Sequence, residues 1–241
     1  MKKEKQITFA LKIDRSKAYD RVNWSFLHLS LIQIGVPIDM VEWIMGCINS
    51  ASFAVLINGS PSSFFRSSRG LRQGCPLSPF LFLLIVEALS RLLNRAREEN
   101  MIKGVKVTNQ IDLTHVLFVD DVLMYGEGTL NNLQNLEKIL RRYQKATGME
   151  INPEKSNLIH NNLNQDFITQ AKSLIPVSIS QIDEGFKYLG FHLKLNGYRK
   201  EDWIWLVERI QRIFGSWFYR WLSLCGRLVL VSSILQSILV Y

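Results

Sequence analysis

The chain of 241 residues is 47% hydrophobic, which is enough for one substantial core or for a core domain with an appended lobe. It carries 29 Lys and Arg against 21 Asp and Glu, and this net charge of +8 favours a polyanionic partner such as nucleic acid or an anionic membrane surface. The longest uncharged apolar tract, residues 228–241, is shorter than the roughly 18–20 residues of a membrane span. Three widely spaced cysteines without metal-ligand spacing are typical of a reduced, intracellular protein.

The first predicted element is a strand. Apolar side chains alternate along residues 7–13, so the strand ends at Asp14. The next segment has apolar residues at helical spacing and stops at Gly35. Those apolar residues are Val22, Phe26 and Leu29. A second helix is predicted over residues 37–49.

A hairpin and a loop follow. Residues 52–67 form two β-prone arms around Asn58-Gly59, the strongest short-range turn signal. A loop rich in Gly and Pro, residues 69–79, then leads into a helix predicted over residues 80–97.

The remaining elements alternate between strands and helices. A strand pair surrounds Asp120, and Thr129 then begins an amphipathic helix that ends at Gly148. Residues 187–197 predict a second hairpin, and the chain from Arg199 onward is predicted to be helical. Strand pairs that are hairpins, without regular βαβ alternation, indicate an α+β fold with an antiparallel sheet carrying helices on one face.

Two adjacent carboxylates, Asp120 and Asp121, interrupt the apolar run "HVLFVDDVLMYG". Ionised carboxylates are costly to bury without a positive partner, although Asp is also common in tight turns for purely local reasons. Asp14 ends another apolar strand, and the two strand ends could converge on one edge of the sheet. Such a cluster of oxygen ligands suits Mg²⁺, and two such ions can serve a phosphoryl transfer. Together with the basic charge, this pattern suggests a polymerase or a nuclease.

Five ordered motifs resemble the palm of a LINE-type reverse transcriptase, the enzyme of non-LTR retrotransposons, most closely in plant copies. The motifs are "KIDRSKAYDRVNW", "RGLRQGCPLSPFLF", "FVDD", "GMEINPEKSNL" and "KYLGFHL". The resemblance implies a polymerase-type palm over residues 1–198 and the start of a helical thumb over residues 199–241. It also implies an RNA template, a DNA primer and dNTPs as partners, with two Mg²⁺ ions, or Mn²⁺, as cofactors.

The resemblance implies a role for several single residues. Asp14 and Asp120 match the two main metal ligands, and Asp121 belongs to the same catalytic cluster. Tyr19 matches the aromatic residue that lies under the incoming sugar and selects deoxynucleotides, although a core aromatic is an equally ordinary role for its residue type. Lys155 matches a catalytic lysine that could protonate the departing pyrophosphate, although a surface lysine is the commoner explanation.

The Gly-Pro loop and the second hairpin carry further implied roles. Gln73 and Gly74 match the pair that contacts the incoming nucleotide and the template, and Gly70 and Gly74 would let the backbone approach a ligand. Cys75 is expected to be inert packing. The hairpin at residues 188–191 resembles the one that grips the primer end.

Compared with the family, we expect the fingers motifs upstream of Asp14 to be missing from this sequence and the thumb to be cut short. We therefore expect little activity from this chain alone, and the alternative to a polymerase is an inactive remnant that binds nucleic acid nonspecifically. A group II intron maturase is a more distant alternative. Residence in the nucleus would follow from target-primed synthesis on chromosomal DNA, but the only basic signal is the short "MKKEK".

Overall fold

The computed structural model of the protein describes residues 7–108, 111–189, 191–194, 197–215, 223–226, 228–229 and 232–233. The chain forms two compact units, Met1–Glu184 and Gly185–Tyr241. The predicted boundary between palm and thumb, after residue 198, separates parts with different expected functions rather than compact units. It stays a prediction. Among the described residues, no helix is both long enough and apolar enough to cross a membrane.

Strands and helices follow one another irregularly along the first unit. Its strands are β1 Thr8–Ile13, β2 Arg15–Ser16, β3 Ser52–Phe53, β4 Leu56–Ile57, β5 Ser60–Pro61, β6 Phe65–Arg66, β7 Val105–Lys106, β8 Asp112–Leu113, β9 His115–Phe118, β10 Asp121–Glu127, β11 Glu150–Ile151, β12 Asn157–Asn161 and β13 Ser178–Gln181. Its helices are α1 Ala18–Arg21, α2 Trp24–Gln33, α3 Ile38–Asn49, α4 Ser78–Glu98, α5 Leu130–Thr147 and α6 Gln165–Leu174, with a 3-10 turn at Ile182–Glu184.

A five-stranded sheet lies at the centre of this unit, in the order β13-β12-β1-β10-β9. Strand β1 is flanked by β10 and β12, both antiparallel, and its pairing with β10 ends at Ile13 opposite Val122. The edge strand β13 pairs with β12 in parallel, which is the one departure from the predicted antiparallel sheet among the described strands of this sheet.

One face of β1 is buried and the other is half-buried. Phe9, Leu11 and Ile13 point into the core, where Phe9 lies 6.1 Å from the ring of Phe167 on α6. Helix α5 packs on α4, where the Tyr143 hydroxyl donates a hydrogen bond to the Ile85 carbonyl at 3.1 Å. The predicted α+β class, with a sheet covered by helices, is confirmed.

Local signals set several boundaries correctly. The Thr129 side chain accepts a hydrogen bond from the Asn132 amide at the start of α5, and Gly148 ends that helix in the left-handed conformation. The predicted turn at Asn58-Gly59 joins β4 and β5, with positive φ at both residues.

The predicted inward face of α2 is wrong in part. Leu29 is 64% exposed, whereas Leu27 and Leu31 are buried. The side of α2 that packs on the core is therefore the one that carries Leu27 and Leu31, not the one that carries Leu29. Val22, which was predicted to share that face, is buried but precedes the helix. The neighbouring elements α3 and α4 determine which side of α2 meets the core.

The second unit contains the predicted second hairpin, formed by β14 Phe186–Tyr188 and β15 Phe191–Leu193. A 3-10 turn at Lys200–Trp203 and helix α7 Ile204–Gly215 follow. The Lys194 ammonium forms an ion pair with Asp202 at 2.6 Å. Beyond Gly215, the predicted helical segment lies mostly outside the described residues, and so does Gly190 of the hairpin.

Candidate active site

Three carboxylates lie at one end of the central sheet. Asp14 follows directly after β1 and Asp121 is the first residue of β10. The pairing of these strands ends at Ile13 opposite Val122, the neighbours of Asp14 and Asp121 in the sequence. Asp120 and Val119 form the turn between β9 and β10, where Phe118 pairs with Asp121. The predicted convergence of the two strand ends on one edge of the sheet is therefore seen.

The backbone at Asp14 is fixed by a loop that is distant in sequence. Its amide donates a hydrogen bond to the hydroxyl of Ser156 at 3.0 Å, and its carbonyl accepts one from the amide of Asn152 at 2.9 Å. Ser156 is fully buried and its own amide donates to the carbonyl of Asn152, which closes the loop. This loop follows β11 and includes Lys155, so the Lys155 segment is tied to Asp14 through the backbone.

Both negative and positive charges act on the Asp120 carboxylate. Burial raises the pKa of Asp120 above its ordinary value, and the negative charges of Asp121 and Asp14 raise it further. The positive charge of Arg15 acts in the opposite direction and is the largest opposing influence.

Arg15 is a residue that the sequence reasoning missed. It is only 8% exposed, and its guanidinium lies over the ring of Tyr143, 5.8 Å from the centroid. The sequence contains a signal for this burial. Phe9, Leu11 and Ile13 occupy the buried face of β1, and Arg15 is the next residue in this alternation of every second position. The alternation that predicted the strand thus also predicts a buried positive charge beside Asp14.

An open cleft of about 520 Å³ brings several predicted residues together. Tyr19, Gln73, Gly74 and Asp120 all line it, although they come from three separate stretches of the chain. The remaining lining residues belong to the Gly-Pro loop and the start of α4, namely Cys75, Pro76, Ser78 and Pro79. A carboxylate, an aromatic ring and a flexible amide therefore share one concave surface, as in a small-molecule site.

Tyr19 belongs both to the core and to the cleft. Its ring stacks on Phe82 of α4, with 4.4 Å between centroids and an interplanar angle of 8°. Burial raises the pKa of its hydroxyl, and the charge of Asp120 adds to this effect. The two roles considered from the sequence, core packing and contact with a ligand, are therefore compatible at this position.

The two glycines of the loop have different surroundings. A side chain at Gly70 would meet the backbone of Asp20 at 2.7 Å, and the Gly70 carbonyl accepts a hydrogen bond from the indole of Trp24. The close approach predicted at Gly70 is thus to the protein's own chain. Gly74 has φ +80° with open space around it, and it lines the cleft, so its backbone is accessible to a ligand.

Cys75 lies between two cavities. It is half-buried and lines both the cleft and a neighbouring cavity of about 540 Å³ that contains Trp24 and Arg72. The pKa of its thiol is lowered, chiefly by a hydrogen bond from the backbone of Leu77. The expectation of an inert packing residue stays a prediction, and the reactivity of this thiol tests it.

Lys155 is exposed and does not line the cleft. The hairpin that contains Tyr188 and Phe191 belongs to the second unit. The structure thus groups Tyr19, Gln73, Gly74 and the acidic cluster, and joins Lys155 to them only through its loop.

The donor set suits a hard divalent cation, because three carboxylates at one sheet end supply oxygen ligands and concentrated negative charge. No three Asp, Glu, His or Cys side chains are already gathered as a metal-binding group in the part of the chain that the structure describes.

The comparison with known families decides the identity of the fold. The family described as "Reverse transcriptase (RNA-dependent DNA polymerase)" matches residues 1–193. The chain belongs to the reverse transcriptase family. The family predicted from the five motifs is thereby confirmed, and so is the palm-type fold.

Several relatives of this reverse transcriptase domain come from mobile elements. An uncharacterised 149 kDa protein of transposon TX1 from Xenopus laevis is 30% identical over 233 residues, which are 94% of this chain and 17% of that protein. A Pol polyprotein of a type-2 retrotransposable element of Drosophila melanogaster is 28% identical over 61% of this chain and 13% of its own length. The chain thus spans less than a fifth of these two relatives, which confirm the predicted kinship with non-LTR retrotransposons.

Solved structures of telomerase share the fold. Telomerase from Candida albicans, in complex with a fragment of telomeric RNA, gives a TM-score of 0.54 at 14% identity over 78% of this chain and 29% of that one. Apo telomerase from Candida tropicalis gives 0.52 at 20% identity over 68% of this chain and 32% of that one. At these identities the likeness concerns the fold alone.

Proposed function

We propose that the cleft of this reverse transcriptase domain binds a deoxynucleoside triphosphate and carries RNA-directed DNA synthesis. The observation that carries this proposal is the shared cleft of Tyr19, Gln73, Gly74 and Asp120, with Asp14 and Asp121 beside it. In the reaction the 3′-hydroxyl of a primer attacks the α-phosphate of the nucleotide, and pyrophosphate leaves.

The acidic cluster is the proposed metal site. Asp14 and Asp120 would be the main ligands and Asp121 an accessory one. Two Mg²⁺ ions, when bound, would stabilise the attacking and leaving oxygens of the displacement. Burial, and then the negative charges of Asp121 and Asp14, raise the pKa of Asp120. The repulsion among the three carboxylates favours binding of a cation there.

The other residues of the cleft would position the substrate. The ring of Tyr19, held by its stack on Phe82, would lie under the sugar and exclude a 2′-hydroxyl. The exposed amide of Gln73 and the open backbone of Gly74 would contact the nucleotide and the template base. Lys155, on the loop bound to Asp14, would neutralise phosphate charge or protonate the leaving group.

Nucleic acid is the proposed partner of the same surface. The net charge of +8 supports binding of the phosphate backbone, and one of the telomerases with this fold was solved with RNA. We propose an RNA template and a DNA primer, which this domain would hold across the cleft.

Primer extension on an RNA template tests this proposal. We expect incorporation of dNTPs to require a divalent cation and to be lost in Asp120→Asn, whereas the exposed Asp39→Asn on α3 removes the same charge and should leave synthesis unchanged. Tyr19→Ala should admit ribonucleotides. Synthesis that survives Asp120→Asn would refute the metal assignment.

An inactive remnant is the second candidate. Salt-sensitive RNA binding by the unmodified chain, with no synthesis under any divalent cation, would favour it. The salt dependence matters because contacts to phosphates weaken steeply as salt rises.

A further inference from the structure

A buried positive charge lies next to the acidic cluster. Arg15 is only 8% exposed. Among the described residues, neither terminal guanidinium nitrogen has a hydrogen-bond partner. Arginine stays protonated in proteins, so a full positive charge is held in this site. A core aliphatic residue would continue the pattern of β1 without this desolvation cost.

The surroundings of Arg15 show what its charge acts on. Tyr143 of α5 lies under the guanidinium, and the backbone of Arg15 pairs with Ile151 of β11. The acidic groups whose charges act on the guanidinium are Asp120 in the β9–β10 turn and Asp121 at the start of β10. The pairing of β1 with β10 ends at Ile13 opposite Val122, so Arg15 and these two carboxylates lie within two residues of the same paired ends. The acidic groups that act on Arg15 are therefore members of the proposed metal site.

We propose that Arg15 is a positioning residue whose guanidinium offsets the repulsion within the acidic cluster when no cation is bound, and weakens the binding of divalent cations there. The inference rests on the proposed function, because the competition matters only if Asp120 binds a metal. A cation and Arg15 would compensate the same negative charge. The presence of Arg15 therefore makes the free energy of cation binding less favourable, and a bound cation makes the interaction of Arg15 with the carboxylates less favourable.

The competing explanation is that Arg15 only packs on Tyr143. Both explanations predict a loss of stability when the side chain is changed. Only the counter-charge predicts that the effect of Arg15 depends on the charge of Asp120, and a double-mutant cycle measures that dependence.

The first experiment is therefore a cycle of Arg15→Met and Asp120→Asn, followed by urea unfolding of the full chain in EDTA. Methionine keeps most of the volume without the charge, and Arg15→Gln serves if Arg15→Met does not fold. We expect Asp120→Asn to raise the folding equilibrium constant about fivefold more in the Arg15→Met background than in the unmodified protein. An equal effect in both backgrounds would overturn the counter-charge.

The second experiment measures binding of Mn²⁺ by electron paramagnetic resonance, a readout independent of synthesis. We expect Arg15→Met to bind Mn²⁺ about tenfold more tightly, because the cation no longer meets a resident positive charge. Arg21→Met is the matched control, since Arg21 pairs with Glu150 and removing it lowers the net charge equally. Tightening of the same size in Arg21→Met would show a general charge effect and overturn the inference.

Failure of the proposed function gives a different result. If the unmodified chain shows no Mn²⁺ binding that depends on Asp120, the metal assignment fails and the competition fails with it. The cycle in EDTA would still decide whether Arg15 is the counter-charge of Asp120.

Discussion

The hydroxyl of Ser156 holds Asp14 in place, and its removal gives a sharp prediction. Ser156→Ala deletes one oxygen from a fully buried position without changing the backbone. The Asp14 amide, which donates to that hydroxyl at 3.0 Å, then has no acceptor. The remaining contact of Asp14 with this loop is the hydrogen bond from Asn152 to its carbonyl.

The cost follows from that lost acceptor. A partly buried amide left unpaired costs about 1–3 kcal/mol, more than the net contribution of an ordinary hydrogen bond. A loss of about 2 kcal/mol corresponds to a fall in Tm of about 4–8 °C for a domain of this size. Urea unfolding followed by tryptophan fluorescence measures the free energy directly. Primer extension should fall by roughly tenfold, because a displaced Asp14 carboxylate no longer lies where the reaction needs it.

Ser178→Ala is the matched control. The Ser178 hydroxyl donates to the Ser156 carbonyl at 3.0 Å, so this variant removes a hydrogen bond from the same loop but leaves the Asp14 amide paired. Its exposed position predicts a cost of no more than about 0.5 kcal/mol. If both variants cost the same, and synthesis is unchanged in Ser156→Ala, then Ser156 does not position Asp14.

Three further predictions concern other residues. Val119→Asn should stabilise the protein by about 1 kcal/mol in urea unfolding, because Val119 has φ 49° and asparagine tolerates the left-handed region better than a β-branched residue; a loss of stability would contradict this. Burial, and then the charge of Arg97, lowers the pKa of His115, so the unfolded chain takes up a proton that the folded one resists, and stability should fall from about pH 7 to about pH 5. His115→Gln should flatten that profile, and an unchanged slope would count against it. Alkylation of Cys75 by iodoacetamide, followed by mass spectrometry, should have its midpoint below the pH of an ordinary thiol, as its lowered pKa requires; a midpoint at the ordinary value would exclude the hydrogen bond from Leu77.

Local chemistry predicted much of the fold. The turn at Asn58-Gly59 and the ends of α5 at Thr129 and Gly148 depend on neighbouring residues alone, and each lies where the sequence placed it. The buried face of α2 does not depend on neighbours alone. Leu27 and Leu29 are both apolar, and only the packing of α3 and α4 determines that Leu27 is the buried one.

The residues of the candidate site also fall into two groups, those that the sequence alone reveals and those that only the tertiary structure reveals. Residues that carry the chemistry are visible in the sequence, because Asp14 and Asp120 interrupt apolar strands. Residues that hold them are not visible, because Ser156 reaches Asp14 across 142 positions and is an ordinary serine in an ordinary loop. The close approach of Gly70 to Asp20 is likewise a matter of tertiary structure.

One strand end gathers three features that each raise the free energy of the folded chain. Asp120 is a partly buried carboxylate beside two like charges, Val119 has a positive φ, and Arg15 is a charge on the buried face of β1. A hairpin that served only the sheet would be more stable with none of them. Locally unfavourable choices are expected where function requires them, and elsewhere the chain follows its local preferences. Their coincidence at one end of the sheet, where Asp120 lines the cleft, therefore supports the proposed active site on physical grounds, independently of the family to which the chain belongs.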